Sequence, residues 1–228
     1  MIHQLIFAYP RPGMTEAEFQ DYWLTVHAVR YASKIPQIRR YRLALRVPLD
    51  ASDTDPLWSG VAEIWLADEA EQLASLQTPE FLDGARLDEP RWAAFWRSLV
   101  LDTDPHEVLA PPQDGAGVKL FRLFKRREGV PLAEFRERSR GAYAELVATT
   151  PGLRGHLQGF TRDGAYGIGE AVLDGAHQLW FDDVDALQEA RRSAEFQAAE
   201  QELLPVIEPR YVHELATREH WVIGPESR

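Results

Sequence analysis

Hydrophobic and polar positions along this chain follow two periods in turn, and the same alternation of periods occurs twice. Leu5-Ile6-Phe7-Ala8-Tyr9 is a short apolar run that reads as a strand, closed by the breakers Pro10-Arg11-Pro12-Gly13. From Thr15 the spacing lengthens to that of a helix, with Phe19, Trp23 and His27 four apart on one face. Thr15 and Glu18 have the form of a capping box. Pro36 ends that helix and turns the chain into a second strand, where Arg40, Arg42 and Arg46 alternate with Tyr41, Leu43 and Leu45 as a solvated face would. A third strand, Gly60 to Trp65, precedes Asp68-Glu69, acidic residues of the kind a helix dipole favours at its start. An apolar run around Leu99-Val100-Leu101 closes the series.

Past a breaker-rich stretch from Ala110 to Gly117 the series begins again. Leu120 to Phe124 repeats the first strand, Pro131 opens a helix, and Phe135 matches Phe19. Thr150-Pro151-Gly152 matches Ile35-Pro36-Gln37, Gly175 to Trp180 matches Gly60 to Trp65, and Glu195-Phe196 matches Glu80-Phe81. The order is β-α-β-β-α-β twice, the split βαβ or ferredoxin-like arrangement. One such unit covers a single sheet face with helices and leaves the other apolar and bare. The pattern therefore predicts an α+β chain of two ferredoxin-like repeats, 1–110 and 118–228, joined by a linker at 111–117. They are expected to pack sheet to sheet as an internal pseudo-dimeric α+β barrel.

Composition narrows the class of function. A net charge of −11 disfavours nucleic acid and anionic membrane surfaces as partners. The absence of cysteine excludes disulfides and thiolate chemistry. No apolar run is long enough to span a bilayer, and the first residues carry neither a basic leader nor an apolar segment, so a cytoplasmic location is expected. The glycine-rich stretch 164–169 lacks the strand-then-helix context of a phosphate loop and reads as a hairpin connection.

PRPGMTEAEFQDYWLTVHA, followed by KIPQIRRY, GVAEIWL and PHEVL, resembles the EthD-like branch of the dimeric α/β-barrel superfamily. The resemblance runs over residues 2 to 110, and the second copy keeps the frame over about 118 to 223 while departing at informative positions. Members usually carry one such domain and pair as homodimers, so the tandem chain looks like a fused dimer; further pairing of the fused chain is left open. The superfamily includes cofactor-independent monooxygenases, polyketide cyclases, dehydratases, decarboxylases and haem-binding proteins, with a ligand cavity between sheet and helices.

His27 matches the family histidine in the W-x-x-x-H-A pattern. Glu63 is a carboxylate in an otherwise apolar strand, alternating with Val61 and Trp65. If that strand face looks toward the first helix, Glu63 would orient His27 as a general acid or base. The expected pocket wall is Tyr9, Trp23, Tyr41 and Trp65, suited to a small hydrophobic or aromatic ligand. At the places of His27, Trp23 and Glu63 the second copy has Tyr143, Ser139 and Gln178, so one working site in repeat 1 is expected. His156 and His177 lie in apolar runs of repeat 2 without a third ligand at persuasive spacing, and neither a metal nor a cofactor is expected. The resulting expectation is a cofactor-independent enzyme with lyase, dehydratase or cyclase chemistry on an aromatic or polyketide-like substrate. The alternatives are a cofactor-independent monooxygenase, or a non-catalytic small-molecule or haem binder.

Overall fold

The first helix begins where its sequence can satisfy the free N–H groups of an opening turn. Thr15 accepts from the Glu18 N–H, and the Glu18 carboxylate accepts from the Thr15 N–H at 2.8 Å, closing the capping box. Asp68 and Asp183 cap the later helices in the same way, accepting from Glu71 at 2.9 Å and Ala186 at 2.8 Å. The computed structural model describes all residues except 51, 55, 113, 114, 116, 168 and 226–228, so part of the expected linker lies outside the described residues.

Among the described residues, eight strands and the helices between them follow the β-α-β-β-α-β order twice, and the fold class is α+β with two ferredoxin-like repeats. The strands are β1 (Ile2–Ala8), β2 (Arg40–Arg46), β3 (Gly60–Leu66), β4 (Leu99–Leu109), β5 (Val118–Phe124), β6 (Gly155–Thr161), β7 (Gly175–Phe181) and β8 (His213–Ile223). The chain forms two compact units, Met1–Asp102 with Glu219–Arg228, and Thr103–Arg218. Those bounds fall inside β4 and β8, the two eleven-residue strands, so each lends one part to either unit. The first unit has the strand order β4-β1-β3-β2-β8 and the second β8-β5-β7-β6-β4.

Register decides which side chains share a face. In the first unit Ile6 pairs with Ala62 and Tyr41 with Ile64, while Leu5 and Arg42 both pair with Glu63. Partners opposite one another point the same way, and neighbours along a strand point opposite ways. Ile6, Ala8, Tyr41, Leu43, Ala62 and Ile64 therefore form one face; His3, Leu5, Arg42, Glu63 and Trp65 form the other. Phe19, Trp23 and Trp92 cover the first face, with Trp23 tilted on Trp92 at 4.9 Å between ring centroids. Gly60 makes room for that packing, since a Cβ there would lie 2.9 Å from the Trp23 ring.

Candidate functional site

The first helix changes pitch at the stretch quoted above. Residues Trp23–His27 form a π turn, with the Ala28 N–H bonded to the Trp23 carbonyl five residues back. Such turns concentrate at functional sites because they re-aim side chains that an α-helix would place differently. Here the turn buries Trp23 and His27 together, and both line a cavity of about 70 Å³. Its walls are Ile6, Ala8, Tyr41, Ala62 and Ile64 from the sheet, Trp23 and His27 from the helix, and Phe81, Glu89 and Trp92 from the segment before β4.

His27 is oriented by a carboxylate, and that carboxylate is Asp88. The His27 Nδ1 lies 2.9 Å from the Asp88 Oδ2, and both residues are buried. A carboxylate only accepts, so Nδ1 carries the proton, and in the neutral ring Nε2 keeps its lone pair. The Tyr22 hydroxyl donates to the other Asp88 oxygen at 2.8 Å, which fixes the carboxylate plane. Among the described residues no hydrogen-bond partner is found for the His27 Nε2. Burial draws the imidazole below its ordinary pKa, and the bond and charge of Asp88 offset part of that shift. The ring is thus a neutral base at neutral pH, packed on Trp92 at 4.6 Å.

Glu63 is not part of this arrangement, which corrects the expected pairing with His27. It lies on the opposite face of β3, wholly buried, where Arg42 grips both of its oxygens at 2.9 Å. The His3 Nε2 stands 3.3 Å from the same carboxylate, and Glu219 takes another Arg42 nitrogen at 2.9 Å. Trp65 belongs to that side too, stacked on His3 at 4.3 Å, and the Arg42 guanidinium lies 4.8 Å from the centre of the Trp221 ring. The physical reason is parity: Glu63 and Trp65 alternate with Ala62 and Ile64, and the latter pair faces the cavity. Nor are the arginines of β2 a solvated face, because Arg42 and Arg46 are both buried in ion pairs.

Of the four expected wall residues, Trp23 and Tyr41 line the His27 cavity. Tyr9 lines a separate open groove of about 580 Å³ with the Arg97 guanidinium 3.6 Å above its ring. Three polar groups were not anticipated from sequence. Besides Asp88 there is Glu89, whose carboxyl is pushed up to about 7, chiefly by burial and further by Asp88, with Arg86 opposing. The third is the Trp92 indole N–H, which is buried and has no hydrogen-bond partner among the described residues. The segment Asp88-Glu89-Pro90-Arg91-Trp92 carries no helical or strand period; the only signal was two acids ahead of a proline and a tryptophan.

Repeat 2 fills the equivalent interior with polar groups. Arg122 pairs with His177 as Ile6 pairs with Ala62, and His156 pairs with Leu179 as Tyr41 pairs with Ile64. Arg122 is bound by Glu200 and by Glu214 at 2.9 Å, and its guanidinium reaches the Tyr143 hydroxyl at 3.4 Å. Burial lowers His156 to about 3, with His106 contributing, and also draws His177 well below its ordinary value, with His156 and Arg122 contributing. Among the described residues no group of three or more His, Asp or Glu is placed to hold a metal ion, and no helix is long and apolar enough to cross a membrane.

The profile of the EthD domain matches residues 11–95 and 127–203. Solved structures similar along nearly the whole chain include an anthrone oxidase-like protein, at 12% identity over 99% of this chain and 94% of its own, with a TM-score of 0.64. A proposed monooxygenase from Lactobacillus acidophilus NCFM is 12% identical over 96% of this chain and 94% of its own, with a TM-score of 0.56. An EthD family protein from Bacillus halodurans C-125 is 25% identical over 43% of this chain and 94% of its own, with a TM-score of 0.36. At 12% identity the likeness shows the fold alone. Curated protein sequences contain no match.

Proposed function

The chain belongs to the EthD domain family, and we propose that it is an enzyme whose repeat 1 moves a proton on a small, largely apolar molecule, with His27 as acid and base and Asp88 as its orienting carboxylate. The observation that carries this reading is a buried imidazole with Nδ1 held by Asp88 on an otherwise apolar cavity. A neutral ring in that setting accepts a proton at Nε2, and Asp88 stabilises the imidazolium that results. Such a base contributes roughly 10²–10⁴-fold to a proton-transfer step. Lyase, dehydratase, cyclase and isomerase reactions all contain that step, and no external cofactor is required for it.

Cavity size restricts the substrate. Sites for drug-sized ligands occupy roughly 300–1,000 Å³, against about 70 Å³ here. A cavity that takes benzene measures about 150 Å³, so a ligand of a few heavy atoms fits this scale as it stands, a single ring enters with modest widening, and a fused-ring polyketide or a haem does not fit. A second reading, oxygen-dependent oxidation of an electron-rich aromatic, draws on the aromatic walls and on the names of the two similar full-length structures. An oxygen electrode separates it from the first.

The test is hydrogen–deuterium exchange into cyclohexanone and a six-membered lactone in heavy water, followed by NMR. Wild type is expected to accelerate exchange above buffer, and His27→Gln to lose that acceleration while Asp88→Asn weakens it. Exchange at the buffer rate in wild type, or undiminished exchange in His27→Gln, would falsify the reading.

A further inference from the structure

The cavity holds one feature that proton transfer by His27 leaves unused. Trp92 is 2% exposed and lines the cavity, yet its indole N–H has no hydrogen-bond partner among the described residues. Buried donors are almost always paired, so an orphan in a cavity wall marks where an acceptor is received. Glu89 lines the same cavity, three residues before Trp92 in the chain, and is half-buried. Tyr41 adds a hydroxyl to the same wall, and the remaining side chains are hydrocarbon or aromatic ring, so these groups and His27 supply the polar side-chain contacts a ligand would meet.

We infer that the turn 88–92 anchors a substrate through oxygen: the Trp92 indole N–H and the Glu89 carboxyl together receive the carbonyl oxygen of a one-ring enolisable ketone, or the hydroxyl of the corresponding enol or phenol. The inference rests on the acid–base reading of this site and names its substrate class. His27 stands on the helix side and takes the proton from the carbon next to the carbonyl. The electron pair of that C–H bond becomes the new C=C bond, and the C=O π pair moves onto oxygen. That oxygen accepts from the Trp92 N–H and takes the Glu89 proton, leaving a neutral enol, an imidazolium and a carboxylate. Return of the imidazolium proton to the same carbon, with the O–H proton going back to Glu89, regenerates the ketone and exchanges its hydrogen; where a further C=C bond makes the intermediate a dienol, return at its far (γ) carbon gives the conjugated isomer. No oxidant or further reactant enters.

Partial burial suits Glu89 to this work, because a carboxyl kept protonated near neutral pH donates where an ordinary one would only accept. Trp92 supplies a donor that never titrates. A hydrocarbon of the same shape satisfies neither group, so the site discriminates for oxygen rather than for ring size. Leaving a buried donor unmet corresponds to roughly tenfold in affinity.

The experiment is an NMR titration of ¹⁵N-labelled wild-type protein. The Trp92 indole signal is assigned among the seven tryptophans through contacts with the His27 ring, 4.6 Å away. Cyclohexanone and phenol are the probes, and methylcyclohexane and toluene their matched hydrocarbons. The expected result is that the Trp92 N–H signal shifts with the two oxygen compounds and stays in place with the hydrocarbons. Trp92→Phe should weaken phenol roughly tenfold and leave toluene unchanged. If His27 ring signals shift while the Trp92 N–H does not, the oxygen anchor is wrong and the acid–base reading stands. An equal Trp92 shift with toluene also overturns the anchor. Silence at both residues with all four compounds overturns the anchor and the reading together.

Discussion

Lowering the pH from about 7.5 to about 5 should destabilise this protein through His156, by an amount that can be worked out. The residue is wholly buried and burial holds its pKa near 3, against about 6.5 for a histidine in water. A pKa depressed in the folded state means that the unfolded chain binds the proton first. Stability from this group is therefore complete above about pH 6.5 and falls as pH drops toward 3. At about pH 5 the unfolded histidine is almost fully protonated and the folded one is not, which costs about 2 kcal/mol. His177 is shifted in the same direction and adds to the loss. With a urea dependence of roughly 2 kcal/mol per molar, His156 alone moves the unfolding midpoint by about 1 M. The assay is urea unfolding followed by tryptophan fluorescence at both pH values, in wild type and in His156→Leu. Carboxylates contribute equally to both proteins, so the difference between their pH effects isolates the imidazole. An identical pH effect in the two would refute the reasoning, since it would mean that His156 binds its proton equally well in the folded and the unfolded chain.

Two further outcomes are expected. Glu63→Gln removes one of the two carboxylates that balance buried Arg42, leaving Glu219, and breaking a buried pair costs up to about 3–5 kcal/mol; urea unfolding should show a loss while ketone exchange per folded molecule stays at the wild-type level. Exchange lost without loss of stability would return Glu63 to the chemistry. Glu89 donates only while protonated, so exchange should fall as pH rises through about 7, and Glu89→Gln should abolish that limb of the pH–rate profile. A limb that persists in Glu89→Gln belongs to another group.

Much of the fold was legible because it is written twice. The caps at Thr15, Asp68 and Asp183, the proline stops and the order of elements are local signals that need no partner to be read. The face of β3 was not legible, and the reason is physical. All seven of its residues are buried, so no polar side marks the solvent and alternation has nothing to alternate between. With both faces dry, Glu63 reads equally well toward the helix or away from it. Asp88 escaped for a different reason: it lies 61 residues from its partner in a short irregular helical stretch, where no period announces which way a side chain points.

The two repeats have spent the same interior differently, and the register shows it position by position. Where repeat 1 places Ile6, Ala62 and His27, repeat 2 places Arg122, His177 and Tyr143. A guanidinium buried there requires Glu200 and Glu214 to balance it. A cavity and an unpaired indole N–H both lower stability, the first through lost contacts and the second through lost hydration. Two identical subunits would carry each cost twice. A tandem chain carries it once, and its second copy is free to abandon the base, as the change from His27 to Tyr143 does. The asymmetry is thus the reason to look for chemistry in repeat 1: among the described residues it is there that a neutral imidazole with an orienting carboxylate lines an apolar cavity.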